Sequence, residues 1–146
     1  MRLMLSRFVF LIVAALICPP VLAAEAGAKP EVTVVYWSSG DCPWCTYWES
    51  SMSGMEKKFR ASPEFAKIKF YRVKNSHLKD PYIAEQFSPE IDYVWQRYQQ
   101  TQKNPGRPGW QVWVDRKLVA TFQGTKNWDE TYFPRIKQIV AENSAQ

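Results

Sequence analysis

Cysteine and histidine are scarce in this chain, at three and one in 146 residues. A structural zinc site wants four such ligands. The single histidine, His77, reads as a surface residue at a strand end. Two or three cysteines are also too few for a small fold stapled by disulfides. Charge of one sign is no more abundant. The net charge of +5 falls by two if Arg2 and Arg7 are removed with a leader. Lys57, Lys58 and Arg60 do cluster, but at the expected end of a helix, where cations suit the dipole. A nucleic-acid partner is therefore not expected. No internal repeat and no low-complexity tract interrupts the chain. It also lacks the roughly 20 apolar residues in a row that a membrane span needs.

What the N-terminus does have fits a cleavable secretory signal. Arg2 and Arg7 give it a positive start, and Phe8 to Ile17 is an unbroken apolar run. Pro19-Pro20 ends the run, and Val21-Leu22-Ala23 offers small residues for cleavage. Cys18 follows Ile17, where a lipoprotein site wants a small residue. The reading is a signal peptide over 1–23, a flexible lead-in over 24–30 and one domain over 31–146. An exported chain works in an oxidising space, the periplasm or its equivalent, where disulfides persist.

The chemistry concentrates in Cys42-Pro43-Trp44-Cys45, directly after the apolar run Val32–Trp37. That run suits a strand buried on both faces. A strand feeding a helix at Pro43 sets the first sulfur at a helix N-terminus. Unpaired backbone N–H groups there stabilise a thiolate, the species that attacks disulfides. At this spacing, with the first cysteine opening the helix, the two are within reach of one disulfide. The helix is expected to run to Arg60, with Cys45, Trp48, Met52, Met55 and Phe59 on its apolar face and a weak point at Ser53-Gly54. Trp44, between the cysteines, is expected to be partly exposed and to offer a partner-binding surface.

Downstream, Ile68–Val73 reads as a strand, and Asn75–Phe87 carries mixed signals. Ser88-Pro89-Glu90 reads as a helix start with serine as cap, and Ile91, Val94, Trp95 and Tyr98 share a face. Asn104 to Gly109 breaks regular structure. Trp110–Val114 and Leu118–Phe122 form a hairpin around Asp115-Arg116-Lys117. Asn127 with Glu130 resembles a capping box, Pro134 marks the start of a last helix, and Phe133, Ile136 and Val140 face its core. The order strand, helix, strand, helix, hairpin, helix gives an α/β fold with a mixed sheet flanked by helices.

These parts together resemble the thioredoxin family: the strand, the C-P-W-C opening a helix, and Arg107-Pro108 before a strand, hairpin and last helix. The likeness covers about residues 31–142. C-P-[aromatic]-C followed by Trp48 is similar to small periplasmic thioredoxin-like proteins, including those linked to sulfur-oxidation operons. The resemblance implies a thioredoxin-like fold and a thiol–disulfide oxidoreductase. Cys42 would be its exposed nucleophile, Cys45 its buried resolving thiol, and Pro108 a cis-proline shaping the substrate groove, with Pro105 the weaker candidate. It implies a small helical insertion before the cis-proline strand, because the stretch from Val73 to Pro108 is long. It also implies partners: exported proteins bearing disulfides or dithiols, and a membrane redox partner that recycles the dithiol. A monomer is expected, and no cofactor, since the dithiol is itself the redox group.

The departures from that family carry information. Tyr36 stands near the place of its buried aspartate, so Glu49, one turn after Cys45, is the nearest acidic candidate for a proton relay; the plainer reading is a solvated carboxylate. Trp44 stands where strong oxidants of the family have histidine, which leans the chain toward reductase work. Arg107, next to the expected cis-proline, is a candidate to stabilise the Cys42 thiolate or grip a substrate, against the plainer reading of a loop arginine. Two other functions stay open at this point. One is a Cu(I) metallochaperone using the two thiolates. The other is a non-catalytic adaptor on the same fold.

Overall fold

The computed structural model describes residues 28–145. The signal segment expected over 1–23 lies outside the described residues, as do residues 24–27 of the lead-in. Strand β1 (Val32–Ser39) is buried along its whole length. It has to be, because it is a central strand: β2 (Lys69–Asn75) pairs with it in parallel and β3 (Gly109–Val114) antiparallel. Adding β4 (Lys117–Gln123) gives a four-stranded mixed sheet in the order β2-β1-β3-β4. The β3–β4 turn is two residues, Asp115 and Arg116, both at positive φ (47° and 64°), which suits the right-handed twist of a hairpin.

Alternation along β1 builds two cores. Val32, Val34 and Tyr36 join Trp48, Phe59, Trp110, Trp128, Phe133, Ile136 and Val140 on one face. Helices α1 (Pro43–Glu49), α2 (Met55–Arg60) and α4 (Phe133–Ser144) cover it. Val35 and Trp37 join Val73, Tyr82, Phe87, Ile91, Val94, Tyr98 and Trp113 on the other face, beneath α3 (Asp92–Thr101). The fold is α/β with helices on both faces, and its topology is that of the thioredoxin-like fold. Length before the cis-proline strand is taken up by a loop and two 3₁₀ turns, Ala84–Gln86 and Pro89–Ile91, ahead of α3.

Three local expectations need correction. The helix expected from Pro43 to Arg60 is two helices. Ser50 turns to an extended conformation, its hydroxyl donates to the Tyr47 carbonyl (2.7 Å), and the Ser53 hydroxyl donates to the Trp48 carbonyl (3.2 Å). Serine side chains thus satisfy carbonyls that the next turn would have used. Gly54, at φ 65°, then starts α2 in a left-handed conformation that glycine adopts at no steric cost. Met52, expected in the core, lies on this break and is 87% exposed.

The capping box at Asn127 does not form. The Asn127 carbonyl instead accepts from the Thr131 (2.9 Å) and Tyr132 (3.0 Å) N–H groups, in a π-helical turn over Trp128–Tyr132. The i→i+5 hydrogen bonding of this turn brings Trp128 and Phe133 to one side, where their rings stack 5.8 Å apart. Ser88 makes no capping bond either. Its hydroxyl donates to the Glu90 carboxylate, and α3 begins only at Asp92.

Candidate redox site

The site grows from the end of β1. Gly40 N–H donates to the carbonyls of Asn75 (2.9 Å) and Ser76 (3.1 Å), closing the turn against β2. A Cβ on Gly40 would sit 2.8 Å from the Ser76 carbonyl oxygen, so the turn requires glycine. Asp41 Oδ1 accepts from Ser39 Oγ (3.1 Å) and from the N–H of Leu78 (2.7 Å), tying the motif loop to the segment after β2. Cys42 is then the N-cap of α1, and Pro43 fills the first turn, where a missing N–H costs nothing.

Cys42 and Cys45 form a disulfide, with Cα atoms 5.2 Å apart. The Cys45 N–H donates to Cys42 Sγ (3.1 Å), and the Cys42 carbonyl accepts from Thr46 N–H (3.0 Å). One of the two sulfurs thus receives a helix-terminal donor. The expectation of an exposed Cys42 needs correction for this oxidised form. Cys42 is 2% exposed and Cys45 1%, so burial does not separate their roles.

The floor of the site is aromatic. Trp48, Trp110 and Trp128 are fully buried, with ring centroids 4.7 to 5.3 Å apart, and Tyr36 packs 4.6 Å from Trp48. The Tyr36 hydroxyl donates to Glu49 Oε1 (3.1 Å), while Arg72 reaches both Glu49 (3.7 Å) and Glu56 (2.7 Å). Burial first, then the Glu49 charge, pushes the Tyr36 hydroxyl far above the usual tyrosine range. It is therefore a fixed donor to the Glu49 carboxylate. Glu49 is a half-buried, hydrogen-bonded carboxylate on the helix that starts at Cys42, which is more than the solvated side chain of the plainer reading.

Beside the motif lies a groove of about 600 Å³, lined by Trp44, Tyr47, Met55, Gly124, Thr125 and Lys126. Trp44 is 62% exposed and meets Tyr47 edge-on at 6.1 Å. The Arg107–Pro108 bond is cis, as the resemblance implied. The Pro108 carbonyl accepts from Gly124 N–H (2.8 Å), which joins the cis-proline to the groove wall. Pro105, the other candidate, is buried against Gly109.

Arg107 is held by the segment that follows β2. Its Nε donates to the Tyr82 hydroxyl (2.7 Å), Nη1 to the Leu78 carbonyl (2.6 Å) and Nη2 to the Asp80 carbonyl (3.3 Å). The guanidinium also lies 4.5 Å from the centre of the Tyr82 ring. Tyr82 in turn donates to the Ser38 carbonyl at the end of β1 (3.1 Å). Burial raises the Tyr82 hydroxyl above its ordinary range, and Arg107 offsets part of that rise. The Arg107–Tyr82–Ser38 chain pins the cis-proline loop to the strand that carries the motif. Tyr82 had no legible signal in the sequence, since it falls in the stretch of mixed cues.

Arg107→Ala is expected to lower stability by roughly 1.5–3 kcal/mol, the range for a hydrogen-bonded charged group. The Cys42 thiolate titration, followed by ultraviolet absorbance, should not move. Urea unfolding reads the first quantity. A shifted thiolate titration with unchanged stability would return Arg107 to the thiol. His77 is exposed and pairs with Asp80 (3.0 Å). Among the described residues, no three His, Cys, Asp or Glu side chains are grouped to hold a metal ion.

No protein-family model matches the chain, and no curated protein sequence matches it. Solved structures do. The periplasmic thioredoxin SoxS of Paracoccus pantotrophus is 11% identical, over 77% of this chain and 98% of its own, at a TM-score of 0.47. Malassezia sympodialis thioredoxin is 14% identical, over 80% and 78%, at 0.46. A Thermus thermophilus thioredoxin is 18% identical, over 79% and 78%, at 0.44. The chain's own topology carries the fold: by strand order, with a cysteine pair at the head of the helix after its central strand, this is a thioredoxin-like fold.

Proposed function

We propose that the protein is an exported thiol–disulfide oxidoreductase that exchanges disulfides with protein partners and works mainly as a reductase. The observation that carries this is the Cys42–Cys45 disulfide at the head of α1, with a helix-terminal N–H on Cys42 Sγ. In the reduced protein the Cys42 thiolate attacks one sulfur of a partner disulfide. The partner S–S bond breaks, a Cys42–partner disulfide forms, and the other partner sulfur leaves as a thiolate. Cys45 then gives up its proton and attacks Cys42 Sγ. The second partner thiol is released, and the two electrons of the dithiol have passed to the partner.

On this reading Glu49, one turn after Cys45 and bonded to the Tyr36 hydroxyl, accepts the Cys45 proton. Trp44, Tyr47 and the wall beside Pro108 hold the partner chain. With Arg107 bonded to the loop and Trp44 uncharged, neither of these residues supplies a cation to the reduced form. That supports a potential below the roughly −120 mV of the strongest oxidants. Export rests on the leader-like residues 1–23, and a membrane dithiol partner would return the electrons. The periplasmic solved structure agrees with that location in its name alone.

Insulin reduction tests the function. The wild-type protein should accelerate precipitation of the insulin B chain in dithiothreitol. Glu49→Gln should slow turnover several-fold below about pH 7.5, with the loss shrinking as pH rises toward the ordinary thiol range of about 8.5. No acceleration by the wild-type protein would overturn the proposal. A pH-independent Glu49→Gln effect would remove Glu49 from the proton path.

A further inference from the structure

A second pocket, of about 260 Å³, lies away from the groove, between the C-terminal end of α3 and the β3–β4 hairpin. Arg97, Lys103, Asn104, Gln111 and Thr121 supply its polar lining, and Pro105 and Leu118 its apolar part. No Asp or Glu lines it, and neither Arg97 nor Lys103 has an ion-pair partner among the described residues. Cations at a helix C-terminus are common enough to need no ligand. The two amides here are not explained that way.

Gln111 is 6% exposed, and its Oε1 accepts from the buried Trp37 Nε1 (3.2 Å). An indole N–H can only donate, so it fixes the amide with oxygen inward. That leaves the Gln111 NH₂, with no hydrogen-bond acceptor among the described residues, as the group Gln111 offers the pocket it lines. Asn104 is fixed in the same sense, since its Oδ1 accepts from Gly106 N–H (2.9 Å) and its NH₂ is left over. Two amides, a guanidinium and an ammonium thus line one pocket with no acidic acceptor among them. Side-chain donors of this kind are what an oxyanion binds.

We infer that this pocket is a binding site for a small oxyanion, a carboxylate or phosphate held by Arg97 and Lys103 from the rim and by the Gln111 and Asn104 amides from the floor. The inference is independent of the redox reading. Its ligand would sit on the 104–106 turn, two residues from the cis-proline.

The test titrates ¹⁵N-labelled protein separately with inorganic phosphate and with succinate at constant ionic strength, following the side-chain NH₂ signals. Saturable 1:1 shifts of the Gln111 and Asn104 signals are expected, and the tighter of the two anions identifies the tetrahedral or the planar class. The double variant Arg97→Ala/Lys103→Ala changes exposed side chains only. It should bind about tenfold more weakly or worse, the loss of roughly one charge-assisted bond. Shifts that sodium chloride reproduces, or a double variant that titrates like the wild type, would overturn the site.

Discussion

Cys45→Ser protein exposed to an oxidised partner will accumulate as a mixed disulfide through Cys42, and Cys42→Ser protein will form none. Burial does not give this result, because both sulfurs are almost inaccessible in the disulfide. The asymmetry lies in the hydrogen bond. Cys42 is the N-cap, and its sulfur takes the Cys45 N–H. A donor on sulfur lowers the energy of the thiolate relative to the thiol. Cys45 sits one turn into the helix and is covered by it. In the Cys45→Ser variant the first exchange proceeds and the second has no nucleophile, so the adduct persists. Insulin turnover should fall to background in both variants, while non-reducing gels show an adduct in Cys45→Ser alone. Equal trapping by the two would abolish the assigned roles, and an adduct in Cys42→Ser alone would exchange them.

Trp128→Ala will cost roughly 3–5 kcal/mol, the range for removing a buried large aromatic. Against a typical total of about 5–15 kcal/mol, that leaves the variant marginal or unfolded. Trp128 is fully buried and touches Trp48, Trp110, Phe59 and Phe133 at centroid distances of 4.7 to 5.8 Å. Its removal opens a cavity between α4 and the helix that carries the disulfide. The rigid rings around it cannot collapse into that space. The control is Trp44→Ala, whose parent side chain is 62% exposed and should cost within about 0.5 kcal/mol. Urea unfolding of the two variants reads both values. A Trp128→Ala loss under about 1 kcal/mol would mean that the aromatic layer is not what holds α1 in place.

What was legible in the chain followed from short periods and fixed stereochemistry. Val32–Trp37 announced a central strand because no side of it is polar. The hairpin was legible because two apolar runs flank a short polar turn. The cysteine pair and Pro108 were legible as a spacing and an order along the chain. What escaped was decided across space. Ser53-Gly54 was legible as a weak point, but the break comes earlier, because the Ser50 and Ser53 hydroxyls bond back to Tyr47 and Trp48 and end α1. Asn127 reads as a cap, but burying Trp128 and Phe133 on one side demands a wider turn. Arg107 sits one residue from the cis-proline, yet its direction was set by Tyr82, which is 25 residues distant in sequence. Proximity along the chain was a poor guide to where a long side chain points.

The groove beside Trp44 has a consequence for the breadth of partners. Its walls are indole, phenol and thioether, with Lys126 the one charge among its lining residues. Such walls reward burial and ask for little in the way of directional bonds. An extra or missing methylene on a visiting chain changes its fit by only about 1–3 kcal/mol. A surface like this ranks its visitors weakly and turns few away. On the proposed reading the protein is a generalist, and which disulfides it opens in practice is decided by which are exposed and reducible.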